Sequence, residues 1–224
     1  MTCYTLIRSR RRSLAIHVQD GEVTVRAPLR VSKREIDAFV ASKAHWLADK
    51  LARSRELAAR REAFAPDYGD AILFRGAEYP VAARDGTRAG FDGELFYFPP
   101  ELSREQLKAL IVRVYRMLAK ARLSERVAHF AARMGVRPSA VRVTAAKTRW
   151  GSCSAKKSLS FAWRLALADD EVIDYVVVHE LAHIREMNHS ARFWAVVEGV
   201  LPDYRARRAR LKALRERLCA EDWD

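Results

Sequence analysis

The chain has 224 residues, half of them apolar, 9% aromatic and 31% charged, which excludes global disorder and low-complexity or collagen-like repeats. A chain of this length buries about 70% of its unfolded surface and folds without disulfides or structural metal. Its 41 Lys+Arg against 28 Asp+Glu leave a net charge of +13, an excess that invites a nucleic-acid reading.

No stretch approaches the ~18 uninterrupted apolar residues of a membrane span, and no long apolar run follows the charged N-terminus as it would in a signal peptide. Cys3, Cys153 and Cys219 are an odd, scattered set, the pattern of reduced thiols in a cytoplasm rather than of a secreted framework.

In chain order, Tyr4–Arg8, Leu14–Gln19 and Glu22–Ala27 read as short strands, the last two joined by a hairpin at Asp20-Gly21. Ser32, with Glu35 placed for a capping box, opens a helix whose apolar positions Ile36, Phe39, Val40, Leu47 and Leu51 continue to about Arg61. Residues 69–100 are the most glycine-rich part of the chain and suggest two or three further strands. Pro99-Pro100 marks the expected boundary between an N-terminal region, 1–100, and a second domain, 101–224. Ser103 caps a long helix that ends at Gly135. Val141–Thr144 and the alternating Ser158–Leu167 read as strands. Asp169-Asp170 caps a helix running through Val172, Ile173, Val176 and Val177, Ser190 caps another, and Tyr204–Leu218 is a basic terminal helix. The fold class is α+β, a larger domain preceded by a small β-rich region. Positive charge is concentrated in residues 101–168, where 15 basic face 3 acidic residues.

Three of the six histidines fall within eleven residues, at 179, 183 and 189. His179 and His183 are four apart, so a helix projects both from one face, and two neutral imidazoles at that spacing grip one zinc ion. Glu180 lies about 100° round the helix, placed to take a proton from water activated by the metal. His189 is the natural third ligand. An unbroken helix would carry it roughly 240° away from His183, so the helix must end first. Asn188 is suited to the left-handed conformation that ends a helix, and Ser190 to starting the next. Glu198 competes with His189 for the third position. Three protein ligands leave the open coordination site of one catalytic Zn2+.

The motifs Arg149-Trp150-Gly151-Ser152-Cys153-Ser154, Ile173–His183, Asn188-His189-Ser190-x-x-Phe193-Trp194 and Leu201-Pro202-Asp203-Tyr204 resemble the YgjP-like metallopeptidases. The resemblance extends to the Arg10–Arg12 cluster, Val25-x-Ala27-Pro28 and Phe39 to Trp46, and so spans nearly the whole chain. It implies a zincin-like catalytic domain, zinc held by His179, His183 and His189, and Glu180 as general base. More distantly, such domains are similar to the SprT-like and WLM metalloproteases. The histidine spacing also matches the metzincins, but Glu186 stands where they carry glycine.

The implied function is a cytoplasmic zinc metallopeptidase acting on a peptide or protein. The alternative is a nucleic-acid-associated protein, either a protease recruited to DNA or a binder with a structural zinc, in which the helix cations Arg104, Lys108, Arg113, Arg116, Lys120, Arg122, Arg126 and Arg133 contact a DNA or RNA backbone. Trp150 to Cys153 forms a compact motif between two strands, either at the rim of a cleft whose neighbouring strand pairs an extended peptide substrate, or a glycine-containing turn with Trp150 packed into the core. Tyr204 is a candidate oxyanion donor or substrate contact, and Cys153 a candidate inhibitory zinc ligand or a small buried residue. His17, His45 and His129 are expected to be structural or surface residues.

Overall fold

The Asp20-Gly21 turn forms as its sequence predicts. In the computed structural model, which describes residues 3–223, Asp20 (φ 49°) and Gly21 (φ 80°) both adopt left-handed backbone. That turn twists in the sense of the strands it joins, pairing β2 (Ala15–Gln19) antiparallel with β3 (Glu22–Pro28). β1 (Thr5–Ser9) lies parallel on the other side of β3. α1 (Lys33–Ser42) starts at the Ser32 capping box, and α2 (Ala44–Ala63) follows. The single helix expected from Ser32 to Arg61 is therefore broken at Lys43 (φ −109°). The periodicity does not register the break, because Ile36, Val40 and Leu47 share one face of a 3.6-residue helix with or without it. These three join Val23, Val25 and Ala27 in the core of the first unit, residues 3–64 with Arg217–Asp222. Arg61 binds that C-terminal segment by donating to the Cys219 carbonyl at 2.6 Å.

The second unit comprises Ala65–Glu216 and Trp223. The glycine-rich segment forms β4 (Ala71–Phe74), β5 (Ala77–Ala83), β6 (Gly90–Phe91) and β7 (Phe96–Phe98), in sheet order β4-β5-β7-β6. Its hydrogen bonds go forward in sequence. The Arg75 and Gly76 amides donate to the carbonyls of Ala166 (2.9 Å) and Leu167 (3.0 Å), and the Tyr115 hydroxyl to Leu73 O (2.7 Å).

α3 (Arg104–Met134) has the expected capping box at Ser103 and ends at left-handed Gly135 (φ 61°). It buries Leu107, Ile111, Val114, Tyr115, Leu123, Val127, Phe130 and Met134. The third sheet is β8 (Ala140–Thr144), β10 (Ser158–Ala162) and β9 (Gly151–Cys153), with β10 central, parallel to β8 and antiparallel to β9. Two expectations are corrected here. The strand Ser158–Leu167 ends at Ala162, and Trp163–Leu167 is a 3-10 helix with every residue except Arg164 buried. The segment from Gly151 to Cys153 is an edge strand rather than a turn.

α4 (Asp170–Ala182) is buried on nearly all sides, as its valine-rich sequence requires. Its N-terminus is held by charge. Asp169 caps Val172 N–H at 3.0 Å, Arg122 and Arg75 pair with Asp170, and Arg126 makes a two-pronged bond to Asp174 (2.6 and 2.8 Å) from α3. α5 (Ala191–Val200) and α6 (Tyr204–Leu218) complete the chain. Arg210 of α6 pairs with Asp169 (2.8 Å) and Glu171.

Trp223 fastens the end of the chain into this unit. It is 4% exposed and edge-on to both Tyr115 (5.5 Å) and Trp163 (6.2 Å), which stack on each other at 5.6 Å. Trp223→Ala is expected to cost about 3 kcal/mol through lost burial and the cavity left behind. Urea unfolding checks this, and an unchanged midpoint would contradict the packing role.

Candidate metal centre

α4 ends where its chemistry begins. His179 and Glu180 lie in its last turn and His183 is its C-cap, still in right-handed backbone (φ −63°). The chain then leaves the helix through short turns, Ile184 N–H to Leu181 O, Arg185 N–H to Ala182 O and Ser190 N–H to Asn188 O. Asn188 is not left-handed, contrary to the sequence expectation, and among the described residues no positive φ occurs between His183 and Ser190. Tightened turns reverse the path instead. Ser190 then caps α5 by accepting from Phe193 N–H.

This path brings His189 back to the helix. One side-chain nitrogen from each of His179, His183 and His189 falls within 4.8 Å of the others, the one group of metal-ligand type among the described residues. The Nε2 atoms of His179 and His189 face each other at 3.0 Å. The His183 Nδ1 lies 3.2 Å from the Glu186 carbonyl. A carbonyl only accepts, so Nδ1 is the donor and Nε2 keeps its lone pair for the cluster. Phe193, fully buried, packs against all three imidazoles at 4.9, 4.5 and 4.8 Å between ring centres. Trp194 stacks on His189, and Tyr204 stacks on Trp194 at 5.2 Å.

Electrostatics suit a cation. Burial, reinforced by the other two imidazoles, pushes His179 from its ordinary 6.5 to about 3, and burial also lowers His183. Both are therefore neutral at physiological pH, with lone pairs that no proton contests. The His179 Nδ1 is buried without a hydrogen-bond partner. The three all-nitrogen donors fit a borderline-soft divalent ion such as zinc.

Glu180 is the one buried charged residue among those described, 5% exposed. Burial raises its carboxyl from 4.5 to about 7, against a smaller opposing pull from Arg149. Glu198 stands outside the cluster, paired with Arg205 at 3.0 Å. The Cys153 thiol is also outside it, pushed up by burial and by the nearby Glu180 charge. Trp150 is half-buried, its carbonyl accepting from Ala162 N–H at 2.8 Å. His17, His45 and His129 are all exposed. The basic segment is partly spoken for, because Arg104, Arg122 and Arg126 pair with Asp67, Asp170 and Asp174.

The family model of the YgjP-like metallopeptidase domain matches residues 12–214. The chain belongs to the YgjP-like family. As a member of that family it carries a metallopeptidase domain, which implies a divalent metal. Two solved structures are similar to part of this YgjP-like chain, both metallopeptidase zymogens. Abylysin of Pyrococcus abyssi is 24% identical over 41% of this chain and 92% of its own, with a TM-score of 0.38. Jannalysin of Methanocaldococcus jannaschii is 21% identical over 42% of this chain and 95% of its own, with a TM-score of 0.37. Among curated proteins there is no match. No helix of the described residues is long and apolar enough to cross a membrane.

Sequence reasoning missed Phe193 as the common support of the three rings, although its place four residues after His189, one turn into α5, was a usable signal. It also missed Gly151, whose nearest neighbours are atoms of Glu180.

The raised carboxyl has a consequence for stability. In the metal-stripped protein, unfolded Glu180 ionises near 4.5 while the folded state keeps its proton to about 7. The folded state then binds more protons across that window, and stability falls as pH rises through it. Glu180→Gln abolishes this term. Its stability advantage over the parent is expected to grow by about 3 kcal/mol between those limits and stay constant above them. Urea unfolding at a series of pH values checks this, and a pH-independent difference would contradict it.

Proposed function

We propose that this YgjP-like protein is a zinc-dependent peptidase in which His179, His183 and His189 hold one catalytic ion and Glu180 is the general base. The observation that carries the reading is the convergence of three imidazoles, at least two of them held neutral, beside a buried carboxylate that is not among the clustered donors. When bound, zinc supplies Lewis acidity, which acidifies water and polarises a carbonyl.

The protein supplies the rest. Glu180 takes the proton of the attacking water on a carboxylate oxygen and delivers it to the departing amine nitrogen. A carboxyl with a pKa of about 7 is matched to both transfers at neutral pH. Phe193 fixes the planes of the imidazoles. β9 is an edge of its sheet, and an extended peptide substrate adds to such an edge through backbone hydrogen bonds, with Trp150 beside it. Tyr204 is buried and stacks on Trp194, which in turn stacks on His189, so it backs the histidine cluster.

Glu180→Gln is expected to retain bound zinc and lower kcat about 10²- to 10⁴-fold, measured with a mixture of quenched-fluorescence peptides and elemental analysis. Full activity in that variant would refute the mechanism. His189→Ala is expected to lower zinc per chain, and unchanged metal content would restore Glu198 as the third ligand.

A recruitment role for nucleic acid rests on what remains of the basic face. Arg113, Arg116 and Lys120 lie exposed at helical spacing along α3, without an acidic partner among the described residues. A peptidase recruited through that row is stimulated by DNA and loses the stimulation as salt rises. Activity indifferent to DNA at low salt would remove this role.

A further inference from the structure

Gly151 begins β9 with no backbone reason to be glycine. Six of the chain's nine glycines have positive φ, and Gly151 is not one of them. Its requirement is for space. A Cβ at this position would lie 2.6 Å from Glu180 Oε1, 2.7 Å from Cγ and 2.8 Å from Cδ, so the three nearest atoms all belong to one side chain. Gly199, by contrast, has open space where its Cβ would be.

Neither partner is free to withdraw. Gly151 pairs with Phe161 of β10, and the Trp150 carbonyl just before it accepts from Ala162 N–H at 2.8 Å. Phe161 is fully buried, which fixes the strand that β9 leans on. On the other side, Glu180 projects from a helix whose neighbours Val177, Val178 and Leu181 are fully buried. With both backbones anchored, an added methyl group is accommodated by moving the carboxylate.

We propose that Gly151 is a positioning residue for Glu180: the side chain it lacks is the slot in which the carboxylate lies, and the backbone of β9 closes the alternatives on that side. This gives a role to the glycine of the Arg149–Ser154 motif. The kinetic half of the inference rests on Glu180 being the base; the packing half does not.

The test is a double-mutant cycle on the full chain, using Gly151→Ala, Glu180→Ala and the combination, with thermal unfolding and bound zinc as readouts. In the parent background Gly151→Ala lowers the thermal midpoint by a few degrees. In the Glu180→Ala background, where the obstructing atoms are gone, it leaves the midpoint unchanged. Zinc per chain is the same in Gly151→Ala as in the parent. Kinetically, Gly151→Ala lowers kcat at least tenfold on the best-cleaved quenched peptide, with KM unchanged.

An equal loss of stability in both backgrounds would overturn the proposal, since the strand and not Glu180 would then require the glycine. So would full kcat in Gly151→Ala. If Gly151→Ala fails to fold, folding of the combined variant supports the slot, and failure of both overturns it. If Glu180→Gln proves fully active, the base assignment falls while the stability cycle still decides whether Gly151 holds Glu180.

Discussion

The central constraint is that a helix buried on nearly all sides must present polar, chemically active groups at one end. α4 places Ile173, Val176, Val177, Val178 and Leu181 in the core, and that burial gives the site its character. It strips water from His179 and Glu180, so the imidazole stays neutral and the carboxyl holds its proton far longer than in solution. A helix of the same sequence on the surface would have the spacing of His179, Glu180 and His183 without their electrostatics.

Such a helix needs an anchor, and charge provides it at the opposite end. Asp169, Asp170, Glu171 and Asp174 gather arginines from α3, from the β4–β5 turn and from α6. Acidic residues there also favour the helix dipole. The positive charge that dominates the composition is thus partly structural. Arg122 and Arg126, which at first sight belong to a basic face for nucleic acid, lock α3 onto the site helix.

What was legible in the sequence follows from how local each requirement is. His179, Glu180 and His183 could be read because a helix fixes the spacing of neighbours rigidly. The caps at Ser32, Ser103, Asp169 and Ser190, and the stop at Gly135, could be read because capping is chemistry within a few residues. His189 was legible as a residue type, but its route was not, since short turns of right-handed backbone leave no mark like that of a left-handed asparagine. The end of β10 at Ala162 was misplaced because the apolar alternation runs on into the 3-10 helix Trp163–Leu167. That 3-10 helix accepts, at Ala166 and Leu167, hydrogen bonds from the β4–β5 turn nearly a hundred residues away in sequence. Gly151 is the extreme case, a residue defined by an empty volume that only the folded chain reveals.

The unequal exposure of the three histidines bears on how the proposed zinc site would exchange its ion. His179 and His183 are partly buried, whereas His189 is exposed and sits on the short segment before α5. If that site holds zinc as proposed, a cation approaching from solvent would meet His189 first, and a chelator would withdraw it by the same way. In the proposed zinc site the segment joining α4 to α5 would therefore govern loading and loss, and a change there would alter metal residence time while leaving His179 and His183 in place.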